Sequence, residues 1–146
     1  MAQIKENEMK KIILITMLMS AVFAQSDCNK DNWREYYNSE GNDMTDCDLA
    51  GANLKGADLT DANLFYAVLE RANLEGANLR SADLRSAFLL RANLEGANLR
   101  YAKFPGANLT NAILEGVRSS RIRGKPASLP KGWSLVDGRL IKKDGE

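Results

Sequence analysis

Large apolar residues recur at every fifth position through the middle of the chain. From residue 46 to residue 115 the sequence divides into fourteen pentapeptides without an insertion. Leucine is the central residue of each pentapeptide, except that Phe104 takes its place once. Alanine stands two positions before the centre, with Cys47 in the first such position, and Asn or Asp lies between them in ten of the fourteen. A period this regular predicts a repeat architecture.

This period of five fits neither an α-helix nor a flat strand. In a helix, successive centres would rotate by about 140° and spread around the cylinder. In a strand, side chains alternate with a period of two, so an odd repeat would send successive centres to opposite faces. We therefore predict a chain that turns a corner every five residues, with alanine and leucine inside and with Asn, Asp and Gly serving the corners. Each coil must stack on the next to bury its apolar edge.

The tandem A-[ND]-L-x-x pattern of residues 46–115 resembles the pentapeptide repeat family. The resemblance implies an all-β fold, a right-handed quadrilateral parallel β-helix with both apolar positions inside. Four sides of five residues would make a coil of 20 residues, so the repeats would form about 3.5 coils. The resemblance covers 70 of the 146 residues. It indicates fold more strongly than function, because one fold supports many functions.

Segments on both sides of the repeats are predicted to cover the open ends of the stack. Residues 29–38 indicate a short helix or turn, which would form a helical N-terminal cap. Asp137-Gly138 lies between two short apolar runs and predicts a hairpin. The run PASLPKGWSLVDGRLI also resembles a segment that interrupts or follows the repeats in bacterial members of the family. The predicted organisation is a signal peptide, an N-terminal cap, the solenoid, and a C-terminal linker and cap, at residues 1–24, 25–45, 46–116 and 117–146.

Residues 1–24 have the composition of a secretory signal peptide. Two lysines precede an apolar run of 13 residues, shorter than the roughly 20 residues that a membrane-spanning helix needs. A spanning anchor is therefore the less favoured alternative. Cleavage is predicted between Ala24 and Gln25, and both Met1 and Met9 fit as the start. We expect a periplasmic or secreted chain that does not span the membrane after cleavage.

Export to an oxidising compartment predicts a disulfide between the two cysteines, Cys28 and Cys47. A redox-active pair is less favoured, because the sequence lacks the C-x-x-C spacing typical of one. The predicted bond encloses 18 residues. It would tie the N-terminal cap to an inward position of the first repeat.

Residues 20 positions apart should stack on one face of the coil. Val68 and Phe88 replace the usual Asn or Asp in successive coils, with Leu90 beside them and Arg71 and Arg91 nearby. Apolar side chains bordered by arginine are typical of protein interfaces. These five residues form the predicted interaction face. The competing interpretation is a set of isolated surface apolar residues without a function.

Charge gives two further indications on a chain whose formal net charge is +1. Residues 116–146 are basic and could contact anionic lipid or polysaccharide, although a solvated basic linker before the cap is the favoured interpretation. Lys55, Glu75, Glu95 and Glu115 should form a column on one edge. That column could bind a cation or a basic partner, or it could be a solvated face balanced by neighbouring arginines.

Composition argues against an enzyme. The sequence contains no histidine, which removes Ser-His-Asp and Cys-His catalysis and His-ligated metal sites. A filled, narrow bore would also leave no cavity for a substrate. We expect no catalytic residue, no metal and no cofactor. The predicted function is that of an exported, non-catalytic module, a rigid scaffold that binds a protein or an envelope component; nucleic acid is disfavoured, and a homodimer is left open.

The family resemblance implies an alternative function. Some pentapeptide repeat proteins mimic duplex DNA, bind DNA gyrase and protect it from quinolones. By this analogy the chain would be a DNA-mimicking inhibitor or protector of gyrase or another topoisomerase. Such mimicry needs a long and strongly acidic rod, whereas residues 46–115 carry 7 basic and 9 acidic side chains. The predicted signal peptide would also keep the chain away from gyrase.

Overall fold

The computed structural model describes residues 28–39 and 41–143 of the chain. The predicted signal peptide, and with it the cleavage site between Ala24 and Gln25, lies outside these residues. Within them, a short helix α1 (Trp33–Tyr37) precedes the repeats, and an antiparallel hairpin of β1 (Trp133–Val136) and β2 (Arg139–Lys142) follows them. None of the helical structure described is long and apolar enough to cross a membrane.

Between the helix and the hairpin, parallel β-bridges join residues that are 20 positions apart. The bridges form four ladders, which we number in chain order. Ladder one joins residues 43, 63, 83, 103 and 123; ladder two joins 48, 68, 88, 108 and 128; ladder three joins 53, 73, 93 and 113; and ladder four joins 58, 78, 98 and 118. The chain therefore reaches the next ladder every five residues and pairs with its own preceding turn after 20.

The pairing continues past both ends of the predicted repeat segment. At the N-terminal end Asp43 pairs with Asn63, and the buried Met44 occupies an inward position. At the C-terminal end Arg118, Arg123 and Ser128 pair with the turn before them, although the A-[ND]-L pattern has already ended. Backbone pairing persists there because it needs only the N–H and C=O groups that most residues carry.

Alanine and leucine form the core, and their predicted inward positions are confirmed by their burial. All the central leucines of the repeats and Phe104 are buried. The alanines two positions before the centres are also buried, except for the half-buried Ala57. Small alanine side chains let neighbouring sides of the coil approach, while leucine fills the space between them.

Each corner from Asp46 to Gly116 is a turn closed by a backbone hydrogen bond. In the turn that begins at Leu54, the Ala57 N–H donates to the Leu54 carbonyl over 3.0 Å. Gly56, the third residue of this turn, has a φ of +65°, as the third residue of a type II turn requires. A positive φ recurs at every fifth residue from 46 to 121. Glycine fills only some of these corners; bulkier residues at the others include Tyr66 and Arg71.

Asn and Asp serve the corners through their side chains, while their own backbone lies in the ladders. In each repeat that has Asn or Asp, the side-chain oxygen of this residue accepts a hydrogen bond from the N–H two residues further on, which lies in the following turn. The Asn73 Oδ1, for example, accepts a hydrogen bond from the Glu75 N–H at 3.1 Å. This contact is the Asx-type hydrogen bond to the backbone two residues on, for which Asn and Asp are favoured.

The N-terminal segment packs against the first turn of the repeats. Cys28 and Cys47 are joined by a disulfide, and both are buried. The Cys28 carbonyl accepts a hydrogen bond from the Asp48 N–H at 2.9 Å. Helix α1 buries Trp33, and the Tyr37 hydroxyl reaches the Thr60 carbonyl at 3.2 Å. The helix is only five residues long, so its position depends on these contacts rather than on helix propensity.

The hairpin closes the other end. Asp137 and Gly138 have φ values of +48° and +71°, the pattern of a two-residue type I′ turn. The Gly138 carbonyl accepts a hydrogen bond from the Ile122 N–H at 3.0 Å, and a Cβ on Gly138 would lie 3.1 Å from the Arg121 Cα. The turn therefore sits directly against the last paired segment. Leu140 of β2 is buried in the core.

Candidate functional site

The structure brings the apolar members of the predicted interaction face together. Val68 and Phe88 are bridged neighbours in ladder two, and the Leu69 N–H donates to the Phe88 carbonyl at 2.8 Å. Phe88 is 46% exposed, while Val68 and Leu90 are half-buried. Because Phe88 occupies an outward position that usually holds Asn or Asp, its ring projects to the surface instead of supporting a turn.

Arginines border this apolar patch along one edge. Arg71 and Arg91 occupy equivalent corners of successive turns, with φ values of +55° and +57°. The Arg71 N–H donates to the Leu90 carbonyl at 2.9 Å, which places this corner beside the apolar patch. The Arg71 Nε lies 3.7 Å from the Glu70 carboxylate, and both side chains are largely open to solvent. The guanidinium can therefore leave this weak ion pair to bind a partner.

Aromatic residues extend the patch along the opposite edge. The Phe65 and Tyr66 rings are 4.3 Å apart between centroids and pack edge to face. The Arg85 guanidinium lies 5.1 Å from the Phe65 ring centroid. Tyr66 is 46% exposed at a corner two residues before Val68. Aromatic and arginine side chains are the residue types enriched in protein interfaces.

Asp83 is the one charged side chain buried within the described ranges. Its carboxylate lies 2.8 Å from the Arg85 Nε and 3.2 Å from the Lys103 Nζ. Burial acts to raise the pKa of Asp83, but hydrogen bonds from Arg85 and Lys103 outweigh it and bring the pKa below its ordinary value. The ion pair also links two turns, because Asp83 and Lys103 are neighbours in ladder one.

The lowered pKa of Asp83 predicts an acid-dependent contribution to stability. A carboxyl with a depressed folded-state pKa stabilises the fold fully above its unfolded pKa of about 3.9, and this contribution is lost as the pH falls through the folded value. We expect Asp83→Asn to be less stable than the wild type at neutral pH, with the difference shrinking below about pH 4. Urea unfolding across the acid range measures this. Parallel pH profiles for the two proteins would contradict it.

Ladder four and its adjoining corner carry a second charged surface. Arg80 and Arg100 stack along one edge, and Arg118 replaces Asn in the ladder. Arg121 from the next corner and Arg139 from β2 join them in the lining of an open cleft of about 950 Å³, which Tyr101 and Asp137 also line. We call this group of five arginines the arginine cleft. It lies two ladders away from the interaction face.

The sequence indicated only parts of the arginine cleft. The column of Arg80 and Arg100 and the basic segment after residue 116 are both visible in the sequence, yet nothing in the repeats alone joins them. Residues 20 positions apart are neighbours in the stack, so Arg118 follows Asn98 and Arg121 follows Tyr101. Extending this count beyond residue 116 could have placed the basic segment beside Arg80 and Arg100. Arg139 could not have been included, because its position depends on how the hairpin docks. Arg123, by contrast, belongs to ladder one.

The predicted glutamate column is partly neutralised by the chain's own lysines. The Lys55 Nζ lies 2.9 Å from the Glu75 carboxylate, and the Lys142 Nζ lies 3.0 Å from that of Glu115. No group of three or more His, Cys, Asp or Glu side chains in the described part of the chain is arranged to hold a metal ion.

Comparison with known proteins agrees with the repeat pattern and the paired coils. Residues 43–80 and 77–116 match the family model described as pentapeptide repeats, in 8 copies. A crystal structure of a pentapeptide repeat protein from Nostoc Pcc 7120 superposes with a TM-score of 0.68 at 34% identity, covering 74% of this chain and 91% of that one. A pentapeptide repeat protein from the Arabidopsis thaliana thylakoid lumen gives 0.56 at 31% identity, covering 58% and 59%. No curated protein matches the chain.

The fold therefore defines a class of repeat protein in which the chain pairs with its own preceding turn every 20 residues. The chain belongs to the pentapeptide repeat family. Its solved relatives are pentapeptide repeat proteins, and proteins of this family generally serve as structural or interaction modules.

Proposed function

We propose that the protein is an exported, non-catalytic interaction module that binds a protein partner in the cell envelope through the interaction face. In this proposal it is a right-handed quadrilateral β-helix of about 3.5 repeat coils, held rigid by its core and covered at both ends. The observation that carries the proposal is the exposed Phe88 ring between the half-buried Val68 and Leu90. Contact of an apolar patch with water is unfavourable in free energy, and a partner that covers the patch removes this contact.

Three observations support export. The first is the signal-peptide composition of residues 1–24, with cleavage proposed between Ala24 and Gln25. The second is the buried disulfide between Cys28 and Cys47, a bond that persists in oxidising compartments. The third is that one relative resides in the thylakoid lumen, a compartment outside the cytoplasm. The proposed location is periplasmic or secreted.

The test has two readouts: the N-terminal sequence of the mature protein, and photo-cross-linking from the interaction face. The full-length gene is expressed in its native host with Phe88 replaced by a photoreactive phenylalanine. We expect a protein recovered outside the cytoplasm, beginning at Gln25, that forms a light-dependent adduct of defined mass. Because Leu90 borders the same patch, Leu90→Ser in the same chain should abolish the adduct.

Ile113 provides the matched control. It is 44% exposed and occupies the same outward position in ladder three, so a photoreactive residue there tests mere surface exposure. An equal adduct from position 113, or none from position 88, would contradict the proposed face. The mature chain alone, analysed by sedimentation, shows whether the partner is a second copy.

The arginine cleft weighs against the alternative of a DNA-mimicking gyrase protector. Mimicry of duplex DNA requires an acidic outer surface, whereas one surface of this stack carries five arginines against the single carboxylate of Asp137. Recovery of an uncleaved chain from the cytoplasm would favour the alternative. The decisive measurement would then be gyrase supercoiling with and without a quinolone.

A further inference from the structure

We propose that the arginine cleft binds an acidic peptide segment, in extended conformation, of a partner protein. The first reason is the difference in ion pairing between these arginines and other basic residues of the chain. Several basic side chains elsewhere, such as Lys55, Arg85 and Lys103, lie within 4.0 Å of a carboxylate. None of the five cleft arginines has such a partner among the residues that the structure describes. Their charge is therefore available to an anionic ligand.

Tyr101 holds two of these guanidinium groups in place. The Arg80 guanidinium lies 5.6 Å from the centroid of the Tyr101 ring, and that of Arg121 lies 5.5 Å from it. The Arg121 Nη1 also donates a hydrogen bond to the Tyr101 hydroxyl at 2.8 Å. Side chains fixed before binding lose less conformational entropy when the ligand arrives. The cleft is thus partly arranged for its ligand.

The spacing of the arginines fits an extended peptide. Arg80, Arg100 and Arg118 belong to three successive turns of the stack, which at about 4.8 Å a level span roughly 10 Å. Alternate side chains of an extended strand lie on one face about 6.7 Å apart, so two or three carboxylates span a comparable length. Guanidinium groups bind carboxylates through two parallel hydrogen bonds. The lining contains arginine and no lysine.

The lining favours a peptide over other polyanions. The cleft is concave, whereas a bilayer presents a flat surface. The Tyr101 ring, the one aromatic group of the lining, contacts two guanidinium groups, so a sugar or a base would have to compete with them to stack on it. Asp137, which also lines the cleft, can accept a hydrogen bond from a peptide N–H, a donor that a phosphate backbone lacks.

The test measures binding of a fluorescein-labelled peptide with glutamate at alternate positions to the mature chain by fluorescence anisotropy. We expect Arg80→Gln with Arg100→Gln to weaken binding by about 3- to 30-fold, the range for two exposed charge pairs. Arg71→Gln with Arg91→Gln removes the same charge from the other surface and should leave binding unchanged. Arg80→Lys with Arg100→Lys keeps the charge, and it should still weaken binding because the paired hydrogen bonds are lost.

Three outcomes would overturn the proposal. Equal weakening of binding by the two pairs of Arg→Gln substitutions would mean that peptide affinity depends only on the net charge of the protein. Absence of peptide binding to the wild-type protein would show that the cleft is not a site for acidic peptides. Stronger binding of oligogalacturonate, duplex DNA or phosphatidylglycerol vesicles, at equal charge, would assign the cleft to another class of ligand. Phe88→Ser with Leu90→Ser should retain peptide binding, so this result and that of the interaction face are independent.

Discussion

Replacing Leu84 with alanine is expected to lower the free energy of unfolding by about 2–5 kcal/mol, the range for a buried leucine. Leu84 is fully buried, and Leu64 and Phe104 occupy the same position in the neighbouring turns. Its N–H donates to the Lys103 carbonyl at 2.8 Å, and such bonds hold the turns at a fixed spacing. The walls therefore cannot collapse into the cavity, so the cost should fall in the upper part of this range.

Leu90→Ala is the matched control for this prediction. It removes the same atoms from a side chain that is half-buried on the surface, so it should cost less than about 1 kcal/mol. Urea denaturation monitored by far-ultraviolet circular dichroism measures both variants. Equal losses of stability at the two positions would contradict the inward position of Leu84.

Loss of the disulfide should have the second large effect. The bond between Cys28 and Cys47 closes a loop with 18 residues inside it, and a loop of this size is worth about 3 kcal/mol in chain entropy. We expect Cys28→Ala with Cys47→Ala, like the reduced wild type, to lose stability by this amount. The loss should begin in the N-terminal cap, because the bond holds that segment against the first turn.

Hydrogen exchange locates the effect of the disulfide. The Asp48 N–H, bonded to the Cys28 carbonyl at 2.9 Å, should lose protection first. The Leu94 N–H, bonded to the Ile113 carbonyl at 2.9 Å in the last turns of the stack, serves as the internal control. Uniform loss of protection at both amides would show that the disulfide stabilises the whole stack and that the cap is not a separate unit.

The repeats made the core predictable, because each apolar position is specified many times over. A register that placed Leu84 inside had to place the other central leucines inside as well. The C-terminal limit of the pairing was harder to predict. Val117 and Ile122 continue the inward alanine positions in steps of five, but Ser119 and Gly124 fill the places where leucine would mark the centre. The backbone still pairs through Arg123 and Ser128.

Surface function was less predictable than the core. Val68 and Phe88 could be paired from the sequence because both lie inside the regular count of five. The arginine cleft depends on Arg139, which the hairpin brings to the stack from outside that count. The immobilisation of the Arg80 and Arg121 side chains on Tyr101 depends on side-chain conformation, which no pattern of residue types encodes.

The unequal use of glycine at the corners bears on how such a protein can evolve new partners. One edge has glycine at residues 56, 76, 96 and 116, whereas the others display side chains such as Arg71, Arg91 and Tyr101. A Cβ added at Gly76 would meet no atom within 4 Å, so a new side chain there would cost only the left-handed backbone strain, about 1–2 kcal/mol. The same space is open at Gly51, Gly56 and Gly96, so these corners could each display a new side chain. A new binding surface could therefore be built by single substitutions. Their number is limited by how much free energy of unfolding the leucine core provides.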